Sequence, residues 1–236
     1  MPDTPAATVD IWQANLVSRP GELCRLAQCL DDAEQQRAAR FRFQRDRDRF
    51  RTSRGLLRHI LAGYLDTNPG RIRFEYTREG KPFLPEHRDL HFNLSHAGDE
   101  LVLGVARGCE LGVDIEGVFS ERVMYEVCGT VLSGPERVAF QGLDAGQRRD
   151  WFVRLWTRKE AYIKADGRGM SLPLRRIDVA TRPDRVRLLD DGSDDWALSR
   201  HWVLRELAVA SGFAAALAID GLDAQVAYQD WPSDAR

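Results

Sequence analysis

The sequence is short of any charge imbalance. Its 34 Lys and Arg residues nearly cancel 36 Asp and Glu, leaving a formal charge of −2 over 236 residues. Such a chain exerts no global pull on nucleic acid or an anionic membrane, so capture of an anion has to be local. It also lacks paired cysteines: Cys24, Cys29, Cys109 and Cys128 form no CxxC, and no histidine stands at zinc-finger spacing from them. That argues against a structural zinc and fits free thiols in a reducing compartment. No apolar run approaches the ~20 residues of a membrane span. Residues 1–10 show neither a basic n-region nor an apolar h-region, so the expectation is a cytoplasmic protein with no membrane partner. There is no GxSxG elbow, and Ser95 beside His96 makes a poor triad, since adjacent residues rarely face each other as nucleophile and base. Low-complexity segments and clear linkers are missing too. What remains is 43% hydrophobic and 30% charged, the composition of a globular protein with a substantial core in one large or two small domains.

The most ordered pattern lies at 151–170, WFVRLWTRKEAYIKADGRGM. Phe152, Leu155, Trp156 and Ile163 fall on one stripe of a helix. Glu160 follows Trp156 by one turn and Lys164 follows Glu160 by one turn, so a carboxylate and an ammonium sit together beside that stripe. Gly167 and Gly169 stop the helix. On this stretch alone, an ordinary salt-bridged helix weighs about as much as a functional one. Lys159, near the middle of the stripe, either reaches a ligand or snorkels to water.

A second bias is positive. Residues 37–58 hold nine arginines (37, 40, 42, 45, 47, 49, 51, 54 and 58), opposed within the segment by Asp46 and Asp48. The spacing predicts a helix over 48–65, with Arg45, Arg47, Arg49, Thr52 and Arg54 crowding its N-terminal turns. Helix N-termini attract anions, and arginine adds bidentate recognition of phosphate. A solvated basic face remains the bland alternative. A nucleic-acid patch is disfavoured, because no interleaved aromatic platform accompanies the charge.

The rest of the chain reads as short elements. Strands are expected at 9–16, 71–76, 90–94, 101–106, 111–116, 176–180, 196–207 and 212–219, with two short ones over 183–195. Helices are expected at 23–43, with Asp31 or Asp32 capping a second one, and at 119–127 and 133–140. In the strand Leu111-Gly112-Val113-Asp114-Ile115-Glu116 side chains alternate, so Asp114 and Glu116 share a face. Two carboxylates so close repel unless a hard cation such as Mg²⁺, a proton or open water relieves them. Helices followed by a small apolar strand set occur in each half, a faint hint of duplication.

Four pieces stand in order: Gly80-Lys81-Pro82, Phe92-Asn93-Leu94-Ser95-His96, Gly112-Val113-Asp114-Ile115-Glu116, and Trp156-x-x-Lys159-Glu160-Ala161-x-x-Lys164-Ala165-x-Gly167-x-Gly169. Together they resemble the 4′-phosphopantetheinyl transferases, of the larger two-halved type that activates nonribosomal peptide, polyketide and related synthases. The resemblance covers 37–170, and the first ~35 residues and the C-terminal third carry no motif. Ala97 stands where serine is common and Met170 where leucine is usual. The resemblance implies an α+β fold of two similar α/β halves related by a pseudo-twofold, here 1–117 and 118–236, in a monomer. Coenzyme A and Mg²⁺ would lie between the halves. It implies metal carboxylates at Asp114, Glu116 and Glu160, and phosphate contacts from Ser95, His96, Lys81 and Lys164. Arg45 is the first choice for the nucleotide 3′-phosphate, with Arg49, Arg51 and Thr52 behind it. The implied reaction moves phosphopantetheine from coenzyme A to a serine of an acyl- or peptidyl-carrier protein and releases 3′,5′-ADP. Glu160 is the candidate base and Lys164 the group at the leaving phosphate. The competing reading is a non-catalytic coenzyme A or nucleic-acid binding module, which explains the arginines but gives the three acids no task.

Overall fold

A computed structural model describes residues 8–169, 172–180, 184–188, 202–221 and 224–231. The first half runs β1 (Thr8–Asn15), α1 (Pro20–Ala27), α2 (Asp32–Ala39), α3 (Gln44–Leu65), the hairpin β2 (Glu75–Tyr76) and β3 (Pro82–Phe83), then β4 (Leu90–Ala97), β5 (Glu100–Arg107) and β6 (Leu111–Gly117). The second half runs α4 (Glu121–Val131), α5 (Gly134–Gln141), α6 (Ala145–Asp166), β7 (Ile177–Asp178), β8 (Arg187–Leu188), β9 (Trp202–Leu207), β10 (Phe213–Asp220) and β11 (Gln225–Asp230). This is a mixed α+β fold. Among the described residues, no helix is long and apolar enough to cross a membrane.

Local chemistry sets several of these boundaries. The helical segment expected over 23–43 divides at the cap expected for a second helix: of Asp31 and Asp32, it is Asp31 that caps α2, in a reciprocal capping box with Glu34. Ser133 and Glu136 do the same for α5, satisfying N–H groups that a helix start leaves unpaired. The helix expected to open at residue 151 begins two turns earlier, at Ala145 behind the Asp144 cap; Gly146 and a charged run hide it from a search for apolar periodicity. Gly167, at φ 81°, closes it in the left-handed conformation that glycine tolerates best. The strand expected over 71–76 shrinks to two residues, because Pro69–Arg71 turns as a 3-10 helix. That at 176–180 shrinks to Ile177–Asp178. Of the elements expected over 183–201, Arg187–Leu188 is a strand; 181–183 and 189–201, like Met170, lie outside the described residues.

The strands form two main sheets, ordered β11-β1-β5-β4 and β6-β10-β9. Alternation along β5 divides its side chains. Leu101, Leu103 and Val105 pack with Leu26, Leu56, Leu57 and Leu61 of α1 and α3. Val102 and Ala106 face the second sheet, against Val113, Ile115 and Leu217. β10 alternates likewise: Ala215, Leu217 and Ile219 point to the first sheet. Ala216 and Ala218 point outward, to Phe152, Ala161 and Ala165 of α6. The result is four layers, with helices outside each sheet and an apolar seam between the sheets. Each fully buried Leu, Val or Ile contributes ~1.5–3 kcal/mol, so the layers hold mainly through these three clusters.

Strand pairing joins early and late parts of the chain. β6 pairs antiparallel with β10, from Leu111 opposite Ile219 to Gly117 opposite Phe213. β11, near the far end, pairs parallel with β1. Sequence periodicity gave no sign of β11.

Candidate active site

The site forms where β6 lies against α6. Gly112, Asp114 and Glu116 share the face of β6 that meets this helix. A Cβ at residue 112 would stand 2.2 Å from the Ala161 carbonyl oxygen and 2.4 Å from the Ala165 nitrogen. Glycine there, with the alanines of β10 beside it, lets helix and strand approach at backbone distance. Asn93 steadies the same strand, its Oδ1 accepting from the Val113 N–H at 2.9 Å. The small residues thus set how near the acids of β6 come to the side chains of α6.

Lys164 spans the gap. Its ammonium donates to Asp114 Oδ1 at 2.6 Å and to Ser95 Oγ at 2.8 Å, and Ser95 also donates to Asp114 Oδ1 at 2.9 Å. The other oxygen of this buried carboxylate, Asp114 Oδ2, has no hydrogen-bond partner. Burial raises the Asp114 pKa against the pull of Lys164. Burial, then the charge of Asp114, pushes Glu116 up to about 7. Glu160 is raised by burial and by Asp114. The three acids therefore share one electrostatic field and repel each other within it. The Trp156 indole N–H favours ionised Glu116 but completes no hydrogen bond.

This donor set fits a hard divalent cation: three carboxylates, an orphaned buried oxygen, and repulsion that a cation would relieve. Among the described residues, no group of three or more His, Cys, Asp and Glu side chains stands as a formed metal site. The acids are neighbours in charge, and the Lys164 ammonium is the cation that Asp114 holds.

A basic rim completes the site. His96 follows Ser95 at the end of β4, and partial burial, then Lys164 and Arg49, lower its pKa. Arg49 of α3 is held there by Asp99 of the β4–β5 turn, Nε donating to Oδ1 at 2.7 Å. Of the arginines considered from sequence, Arg49 is the one that reaches the histidine's field. Arg45, the first choice, is 73% exposed with its guanidinium 3.6 Å from Asp46, and no contact ties it to the acids. Thr52, expected to meet ligand, is 1% exposed and donates to Ser18 Oγ at 3.3 Å. Its helical phase turns it into the protein. Lys81, expected at the phosphates, donates instead to the carbonyls of Leu111 at 3.2 Å and Ala165 at 3.3 Å. It ties the β2–β3 hairpin to β6 and to the end of α6, and burial lowers its pKa. Sequence reasoning passed over Gly112, Asn93 and Asp99 as supports; a glycine and an asparagine inside strands were the available signals.

Acids beneath a rim of histidine, lysine and arginine have the chemistry that suits a phosphorylated ligand accompanied by a cation. Comparison with known proteins narrows the class. Residues 15–107 match the family described as "4′-phosphopantetheinyl transferase, N-terminal", and residues 110–218 match the "4′-phosphopantetheinyl transferase superfamily". The chain is 33% identical over 216 residues to the 4′-phosphopantetheinyl transferase HetI of Nostoc sp., covering 90% of this chain and 88% of that protein. A 4′-phosphopantetheinyl transferase of Bacillus subtilis is 31% identical over 172 residues, 73% of this chain and 72% of the relative. The L-aminoadipate-semialdehyde dehydrogenase-phosphopantetheinyl transferase of Xenopus laevis is 31% identical over 191 residues, 72% and 63% respectively. The chain belongs to the 4′-phosphopantetheinyl transferases.

Proposed function

We propose that the chain transfers 4′-phosphopantetheine from coenzyme A to a serine of an acyl- or peptidyl-carrier protein, with release of 3′,5′-ADP. The observation that carries this reading is the gathering of Asp114, Glu116, Glu160 and Lys164 at the β6–α6 contact, beside His96 and Arg49. Asp114, Glu116 and Glu160 would hold Mg²⁺, which when bound would screen the pyrophosphate and stabilise charge on the leaving phosphate.

The chain's own residues supply the rest. Glu160, with its pKa raised, accepts the proton of the carrier serine as the new O–P bond forms. As the P–O bond to the nucleotide breaks, the electron pair stays on the leaving phosphate. Lys164, which donates to Ser95 and Asp114, turns a donor toward it. His96, held neutral near pH 7, donates an N–H to the same oxygens. Arg49 serves the 3′-phosphate end in place of Arg45. Arg45, exposed at the start of α3, is left to the acidic face of a carrier. Lys81 acts by holding β6 to the end of α6. This reading has a monomer at work in the cytoplasm, in keeping with balanced charge and free thiols.

The test is incubation with coenzyme A, Mg²⁺ and an apo carrier protein, read by intact mass. A gain of one phosphopantetheine is expected, and no gain across several carriers refutes the proposal. Glu160→Gln and Asp114→Ala are expected to lose transfer while largely keeping coenzyme A binding; unchanged turnover in either removes the metal argument. A non-catalytic binding module would leave three mutually repelling acids without a role.

A further inference from the structure

Lys159 belongs to the helix motif, yet the reaction above makes no use of it. An α-helix turns about 100° per residue, so Lys159 leaves α6 in a different direction from Glu160. The Lys159 and Glu136 side chains are both 0% exposed, with the ammonium 2.5 Å from Glu136 Oε2. The ammonium also donates to the Val131 carbonyl at 2.7 Å and to the Leu174 carbonyl at 2.9 Å. Glu136 in turn accepts from the Ser133 N–H at 2.8 Å and from the Val179 N–H at 2.9 Å. All three ammonium protons are engaged, so Lys159 neither snorkels to water nor reaches a ligand.

One buried ion pair thereby joins five segments: the end of α4, the cap of α5, the middle of α6, the 3-10 turn Leu174–Arg176, and the residue after β7. Such a pair adds little net stability, because desolvation offsets the attraction, and apolar residues of similar volume often do as well. What it adds is direction: three acceptors fix the ammonium in space, and with it the rotation and axial position of α6. The opposite restraint is the Gly112 contact with Ala161 and Ala165. Glu160 and Lys164 lie on the helix between the two.

We propose that Lys159 and Glu136 are positioning residues for transfer, locking α6 so that Glu160 and Lys164 meet Asp114 and Glu116. This rests on the function proposed above. Neither residue touches substrate.

The test compares wild type with Lys159→Met/Glu136→Gln, which removes both charges while keeping volume. The double variant is expected to unfold cooperatively at a lower urea midpoint, since the Val131 and Leu174 carbonyls lose their donor and the amide introduced at position 136 faces a backbone N–H, so binding and kcat are compared on folded protein in the absence of urea. In the presence of 3′,5′-ADP, Mn²⁺ binding read by electron paramagnetic resonance should weaken ~10–100-fold, the range for losing an outer-shell support. Transfer kcat should fall by a similar factor, with little change in KM for coenzyme A. A folded double variant with wild-type Mn²⁺ affinity and wild-type kcat overturns the proposal. If wild type itself binds no Mn²⁺, the metal reading fails, and the kcat comparison still decides this one. Should the double variant not fold, Glu136→Asp keeps the charge on a shorter arm. It should raise the Mn²⁺ dissociation constant and lower kcat in the same sense, and wild-type values for both would overturn the inference.

Discussion

Gly112→Ala tests the spacing on which the site depends. The added methyl would lie 2.2 Å from the Ala161 oxygen, 2.4 Å from the Ala165 nitrogen and 3.0 Å from the Ala165 Cα, where ordinary contact begins near 3.4 Å. All three are backbone atoms, so no side-chain rotation relieves the clash. α6 must move off β6 by about 1 Å. Overpacking of this kind costs ~1–3 kcal/mol. The same displacement carries Glu160 and Lys164 away from Asp114 and Glu116, and ~1 Å of misplacement costs ~100-fold in rate. The assay is carrier mass after timed incubation with coenzyme A, with urea unfolding on the same samples. Gly55→Ala is the control. Its Cβ would meet the Leu26 Cβ at 2.6 Å and carbonyl oxygen at 2.7 Å, a clash between α1 and α3 on the far side of the first sheet. It should lose stability comparably while the folded fraction keeps near-normal turnover. Wild-type stability and turnover in Gly112→Ala would refute the reasoning, as would an equal loss of turnover in Gly55→Ala.

Further outcomes follow from the same geometry. Arg49→Ala should weaken coenzyme A binding ~10-fold, the loss of one charge-assisted contact, and Arg45→Ala should change it much less; isothermal titration with coenzyme A checks both. Arg58, 0% exposed, bonds Asp31 at 2.6 Å and Glu34 at 2.7 Å. Arg58→Met should cost ~1–3 kcal/mol in urea unfolding, through the hydrogen bonds lost to the Pro69 and Ile72 carbonyls, while Glu34 keeps Arg54 at 2.6 Å and Asp31, 38% exposed, turns to water. Burial and then Asp166 push Tyr162 up to about 12 from 10. Between these pH values the unfolded chain loses a proton that the folded one keeps, so stability should fall as pH rises from 10 to 12. Tyr162→Phe should flatten that fall relative to wild type, and parallel curves would exclude Tyr162 as its source.

Strand alternation was legible from residues alone: Asp114 and Glu116 share a face, and that face meets the helix of Glu160 and Lys164. The basic run was legible as a bias, but its nine arginines are alike in sequence. What singles out Arg49 is Asp99, 50 residues away on a turn that local pattern does not bring near. Thr52 looked available beside those arginines, and only the packing of α3 shows it turned inward. Lys81 was found by its motif, while its partners are backbone carbonyls from two other elements, which no side-chain spacing announces. β11 went unseen because QVAYQD is short and its partner, β1, lies more than 200 residues back. Long-range parallel pairing leaves little mark on either strand.

The parallel seating of β11 on β1 has a consequence for how the molecule is made. As the polypeptide leaves the ribosome, the first sheet can assemble β1, β5 and β4, yet one flank of β1 stays bare until residues 225–230 emerge. For most of synthesis that flank is a row of unmatched amides open to any passing strand. Cutting the gene in two would leave each fragment lacking a strand held by the other, so both should aggregate when made alone and recover when made together.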